Sequence, residues 1–237
     1  MSAVETLDDH WVKPDPLSNP LSIERRFRAR RFEHVRSLIE ECLQQKERVE
    51  IVDLGGTEKY WLIAEDFLRE QSGRVAITLV NNEPIDPPKS NIFTSLLGDA
   101  CDPALFGDRR FDLVHSNSVI EHVGERERMA AFARNVRRMS DRYYVQTPNF
   151  WFPLEPHFRV VGFQWLPLPL RAMLMRQFNL GFFPRARTVE EAWNNVREIR
   201  LLDRRAVAEL FPSAEIRIER VAGLAKSVMA IGRPAAG

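Results

Sequence analysis

Two cysteines in 237 residues, Cys42 and Cys101, are too few and too far apart for a disulfide framework or a thiolate metal site, and both are read as reduced thiols. The eleven glycines form neither the three-glycine dinucleotide turn nor the Gly-Lys-Ser/Thr phosphate loop, which argues against NAD and nucleoside triphosphates. Long apolar runs are missing. The most apolar stretch, FQWLPLPLRAMLM, is interrupted by Pro167, Pro169 and Arg171 and falls short of the ~20 residues of a spanning helix, so no stable membrane insertion is expected. Charge of one sign is missing too: 34 Lys and Arg face 33 Asp and Glu, no global field is available for gripping a phosphate backbone, and no nucleic-acid partner is expected. The five histidines, His10, His34, His115, His122 and His157, show no close ligand spacing, and no metal site is expected. The start, MSAVETLDDHWVKPD, lacks a basic segment followed by an apolar one, which makes the cytoplasm the expected location. What is present is 44% apolar and 10% aromatic side chains, enough for the core of one globular domain.

Pro14, Pro16 and Pro20 mark residues 1–21 as an extended arm. From Ser22, a residue suited to capping, Ile23, Phe27, Phe32, Val35, Leu38, Ile39 and Leu43 recur at helical spacing, so 22–48 is expected to carry an amphipathic helix. Its arginines alternate with Glu24, Glu33, Glu40 and Glu41 as a solvated face would. Strand-like runs at 49–54, 75–80, 94–97, 111–115 and 143–146 then alternate with helical patterns at 58–70 and 125–139, the rhythm of a mostly parallel, doubly wound sheet. Residues 148–190 break that rhythm with prolines and aromatics, too aromatic for a linker, and are expected to form an insertion. A helix at 203–211 and strands at 215–220 and 227–231 would close the sheet with an antiparallel pair. The expectation is a single domain over 22–237: an α/β, doubly wound, Rossmann-like sheet with a C-terminal antiparallel strand pair and an aromatic insertion after the fifth strand.

In such sheets ligands bind at the carboxyl ends of the strands, and the turn after the first strand supplies the floor. VEIVDLGGTEKYW occupies that place. Gly55 and Gly56 let backbone approach a ligand without a β-carbon between, and amides at the start of the following helix suit a carboxylate or phosphate. Asp53 has two candidate parts, accepting from an ammonium group or orienting the loop.

Further strand ends carry related features in order: VDLGGT, LVNNEP after the second strand, LLGDACD near the third, and FDLVHSNSVIEHV for the fourth strand and the turn beyond it. This series resembles the class I S-adenosylmethionine-dependent methyltransferases, and IRIERVAG with KSVMAIGR is similar to their paired final strands. About three quarters of the chain is covered. The resemblance implies S-adenosyl-L-methionine as cofactor, with Asp53, Gly55 and Gly56 around its methionyl end and Asp99 and Ala100 at the adenine. The ribose partner falls on Asn81 or Glu83. Ser116 and Asn117 would lie beside the cofactor or cap the next helix, and His122 would line the acceptor site or serve the fold. The family's usual third glycine is absent, with Glu58 or Lys59 in its place.

YYVQTPNFWFPLEPHF after the fifth strand resembles a segment of a bacterial subgroup of these enzymes, mostly of unassigned substrate. Emerging beside the crevice, it would roof the acceptor site, with Phe150, Trp151, Phe152, Phe158 and Trp165 as walls and Asn149 among its polar marks. His157, with Glu155 orienting it, is the candidate base for an oxygen acceptor, since imidazole titrates near working pH; the alternative is that the pair ties the insertion down. The pattern of DNA amino-methyltransferases is absent, the position reading HSNS. The function expected is methyl transfer to a small or medium acceptor, with a hydroxyl of a sugar, lipid-linked intermediate or natural product favoured. The alternative is an inactive methyltransferase-fold binding or scaffold protein. A homodimer is left open.

Overall fold

The computed structural model describes residues 11–15, 19 and 21–234. The expected arm lies mostly outside these residues; within them, Asp15 pairs with Lys59. The elements are α1 (Ile23–Leu43), β1 (Val49–Leu54), α2 (Glu58–Trp61), α3 (Glu65–Glu70), β2 (Val75–Asn81), β3 (Phe93–Leu97), β4 (Leu113–Asn117), α4 (Arg126–Met139), β5 (Tyr143–Pro148), β6 (Leu154–Glu155), β7 (Val160–Val161), α5 (Leu168–Gln177), α6 (Val189–Glu198), α7 (Arg204–Leu210), β8 (Glu215–Val221) and β9 (Leu224–Gly232). Seven strands form one sheet in the order β3-β2-β1-β4-β5-β9-β8, parallel except for β9, which runs antiparallel to β5 and β8. The doubly wound sheet with its antiparallel end is as expected. No described helix is long and apolar enough to cross a membrane.

Strands covered on both faces read as continuous apolar runs, and β1 is one: all its residues but Glu50 are buried. On one face α1 and the segments after β1 pack Val35, Leu38, Ile39, Trp61 and Phe67 against Ile51, Ile77 and Leu113. On the other, α4 and α7 pack Phe132, Val136 and Val207 against Val52, Val114 and Val145. Ser22 caps α1, its hydroxyl accepting from the Arg25 amide. Arg31, buried, donates to Glu219 of β8 at 2.7 Å and so fastens α1 across the far edge of the sheet.

Two elements differ from their expected outlines. The helix expected at 58–70 is broken: a 3-10 turn at Leu62–Ala64 separates α2 from α3. Tyr60, Trp61, Ala64, Phe67 and Leu68 are all buried and keep the spacing of one inward helical face across the break. The fourth strand begins at Leu113 rather than Phe111, because the amides of Phe111 and Asp112 bond to Met139 and Glu50 before the chain enters the ladder opposite Ile51. Ser116 and Asn117 therefore belong to β4 and cap no helix.

The insertion after β5 carries its own core. Phe158, Phe163, Ala172, Met175, Ala186, Ala192, Val196 and Ile199 form a third buried cluster, running past residue 190 to include α6. The pairing of β6 with β7 closes its first turn.

The β8–β9 hairpin turns through Ala222 (φ +49°) and Gly223 (φ +82°), both left-handed. Such turns favour Asn at the first position, where alanine is strained. Ala222→Asn is expected to raise the unfolding free energy by about 1 kcal/mol, read from urea denaturation as a higher midpoint with an unchanged slope.

Candidate active site

The carboxyl ends of β1, β2 and β4 meet at the glycine turn. Gly55, at φ +73°, donates to the Val80 carbonyl at 2.7 Å, and a β-carbon there would come within 2.4 Å of Val119. A β-carbon on Gly56 would lie 1.8 Å from Asp53 Oδ2. Both positions admit only glycine, one for its backbone and its neighbour, the other for what lies beneath.

That underlying group is Asp53, which is 0% exposed. Trp61 Nε1 donates to its Oδ2 at 2.8 Å, and His115 Nδ1 sits 2.6 Å from its Oδ1. His115 Nε2 in turn lies 3.3 Å from the Tyr60 hydroxyl, and burial pushes that phenol's pKa up, keeping it a donor. The run Tyr60 to His115 to Asp53 assigns Nδ1 as the protonated nitrogen, with the Tyr60 hydroxyl donating to Nε2. Of the two parts considered for Asp53, this geometry serves loop orientation.

Asn81 Nδ2 donates to the Gly56 carbonyl at 2.8 Å, bracing the turn from β2, and Glu83 is exposed at the rim. Glu58, standing where a third glycine was looked for, accepts from the amides of Lys89 and Ser90 and anchors the loop after β2. Asp99 accepts from the Cys101 amide at 2.9 Å and from Arg128 at 3.1 and 3.0 Å. Partial burial opposes its charge, but these donors outweigh that and hold its carboxyl below the usual range. The Ala100 carbonyl accepts from Asn135 at 2.9 Å. Ser116 donates to the Leu54 carbonyl and is fully buried. Asn117, two residues past the Asp53–His115 pairing and so level with Gly55, leaves its buried Oδ1 without a partner. Ser118 follows in a left-handed conformation, φ +56°, with its hydroxyl donating to Gln146.

A second constellation forms at the ends of β4 and β5. Glu121 is 0% exposed, and Thr147 donates to its Oε2 at 2.9 Å while Oε1 has no partner. His157 Nε2 lies 3.8 Å from that Oε1 and 3.2 Å from His122 Nε2. Glu155 is fixed by the amides of His157 and Phe158 at 2.7 and 2.6 Å, and its other oxygen sits 2.8 Å from His157 Nδ1. His122 Nδ1 faces Glu198 of α6 at 3.6 Å. Burial disfavours the charged His122, yet bonding to Glu198 and the fields of Glu121, Glu198 and Glu155 prevail, so its pKa is raised. His122 and His157, without recognisable ligand spacing in the sequence, thus come together with Glu121. Asn149 donates to the Ala225 carbonyl and is buried; Trp151, 63% exposed, lines a cavity of about 400 Å³ with Glu125, Arg126, Arg200 and Asp203 on the α4 and α7 side. Neither histidine lines that cavity.

Sequence reasoning did not single out Tyr60, Trp61, His115 or Glu198. The first three belong to apolar-looking runs, and Glu198 meets His122 only through the fold of the insertion.

The DszA carbon methyltransferase superposes on this chain with a TM-score of 0.56 at 13% identity, over 92% of this chain and 56% of that one. The fold is shared with a methyltransferase. A protein from Rhodobacter sphaeroides named for Zn-dependent alcohol dehydrogenases gives 0.52 at 10% identity, covering 94% of this chain and 93% of its own. The N-terminal domain of EvdMO1, solved with SAH bound, gives 0.49 at 15% identity over 87% and 80%. No family model and no curated protein matches the chain. At these identities the likeness is one of fold, and function rests on the site.

Gly56→Ala is expected to push the Asp53 carboxylate off its donors and to lower the unfolding free energy by about 1–3 kcal/mol. An unchanged urea midpoint would show that the carboxylate is not held against the turn.

Proposed function

We propose that this chain transfers the methyl group of S-adenosyl-L-methionine to a small or medium acceptor, with a hydroxyl of a sugar, lipid-linked intermediate or natural product favoured. The observation that carries the reading lies at the glycine turn: Asn117, level with Gly55 at the carboxyl ends of β1 and β4, has a buried Oδ1 that lacks a donor. The methionyl ammonium would provide that donor, with the turn at its carboxylate. Asn81 and Glu83 stand at the end of the neighbouring strand for the ribose hydroxyls, and Asp99 retains lone pairs for the adenine amine beyond those shared with Arg128.

When bound, the cofactor supplies a methyl group on a positive sulfur, which transfers in line as the carbon–sulfur bond breaks and the acceptor–carbon bond forms. The protein's work is to align the acceptor, exclude water and, for a hydroxyl, take up its proton. Glu155, held by two amides, fixes the Nδ1–H of His157 and turns the Nε2 lone pair toward His122 and Glu121. His157 Nε2 is the proton acceptor this arrangement offers, and the insertion that carries it is the cap over the acceptor.

Calorimetric titration with S-adenosylhomocysteine tests the reading before any acceptor is known. The expected outcome is micromolar binding, lost in Asp99→Ala and Gly55→Val while both variants retain a cooperative thermal transition. No binding by the folded wild-type chain would shift the reading to a scaffold protein. Once an acceptor is found, His157→Gln is expected to lower kcat about 100-fold or more, read from steady-state turnover.

A further inference from the structure

We propose that Glu121, His122 and His157 bind a divalent first-row transition-metal cation of the zinc type. One ligating atom from each lies within 4.8 Å of the others. Bonds of about 2.1 Å at tetrahedral angles place ligand atoms roughly 3.4 Å apart. The two imidazole Nε2 atoms are already 3.2 Å apart, and Glu121 Oε1 is 3.8 Å from His157 Nε2, so a small side-chain rotation completes the set.

The hydrogen bonding leaves a place for a cation at that point. Both Nδ1 atoms face carboxylates, Glu155 within hydrogen-bond distance at 2.8 Å and Glu198 at 3.6 Å, and with the ring protons there the two Nε2 lone pairs point at each other. The fully buried Glu121 Oε1 adds a third acceptor with no donor. A proton shared between the imidazoles would join two of the three and leave the carboxylate oxygen unserved. A dication satisfies all three.

The surroundings match what metal ligands need. Each ligand is oriented through its other polar atom: Glu121 by Thr147, His157 by Glu155, His122 by Glu198. Two imidazoles and a carboxylate favour zinc-like ions over magnesium or calcium, and three protein ligands leave at least one position open to an outside oxygen. His122 and His157 keep 31% and 15% of their side chains exposed, an entry path for the ion. Binding of the ion does not depend on the methyl-transfer reading, but its use does: a hydroxyl in the open position would be acidified by the cation, and His157 would hold the ion instead of taking the proton.

The test uses the full chain stripped with a chelator and titrated with zinc chloride against a chromophoric competitor, with cobalt(II) as a visible-absorption probe. One equivalent is expected to bind with micromolar or tighter affinity and to give the cobalt spectrum of a site with nitrogen and oxygen ligands. His157→Gln and Glu121→Gln are expected to weaken binding at least 100-fold, and Glu155→Gln about 10-fold, while His34→Gln, remote from the site, leaves it unchanged. No uptake by the folded chain, or uptake that survives His157→Gln and Glu121→Gln, would overturn the site. Binding of S-adenosylhomocysteine, measured on the same samples, separates the two readings: retained cofactor binding without zinc uptake removes the metal site alone, and zinc uptake without cofactor binding removes the methyltransferase reading alone.

Discussion

A carboxylate sealed beneath a glycine turn organises the functional end of this molecule. Asp53 has no access to water, so its charge is tolerable only if polar neighbours replace the lost hydration. Trp61 and His115 meet that demand from opposite directions, one from the short helix after β1 and the other from the neighbouring strand. Several choices in the sequence follow from it. Trp61 must point inward to reach the carboxylate, and Gly56 must stay bare because the carboxylate fills the space below. The turn is therefore set by the interior of the protein before any ligand arrives, which lowers the ordering cost of binding there.

The second constellation depends on sheet order. Parallel pairing of β4 with β5 brings the segment after Asn117 alongside the end of β5, so Thr147 can donate to Glu121 although 26 residues separate them. The insertion then returns over the same point, where two backbone amides grip Glu155 and aim His157 at the carboxylate. A chain that left β5 by a direct connection to α7 would present Glu121 with nothing above it.

The fold was largely readable because its signals are periodic and local. Apolar runs ending in glycine or polar clusters marked β1, β2 and β5, and the α4 pattern stood out for the same reason. The 3-10 turn within the helix expected at 58–70 left no mark in the sequence, because the buried residues keep one helical face across it. Within the site, the turn at Gly55 and Gly56 was legible as a strand end running into paired glycines, whereas Asp99 and the Glu155–His157 pair were picked out by the resemblance to the methyltransferases. The meeting of His122 with His157 was not, since it arises from strand adjacency and carries no signature along the chain. Asn149 and Trp151 were expected at the acceptor site with the histidines as parts of a segment resembling one in related enzymes; the loop after β5 bonds to Leu202, Ala225 and Lys226, and Trp151 lines the cavity beside α7.

The insertion's hydrophobic cluster is separate from both clusters that flank the sheet. Free-energy changes from substitutions inside it should therefore add to, rather than couple with, those made around the strands. A protein divided in this way offers two independent routes for sequence drift: the core of the insertion can be rewritten in Phe158, Phe163, Met175 and their neighbours while strand register and the glycine turn stay as they are. Descendants of such a chain would keep one sheet and exchange insertions.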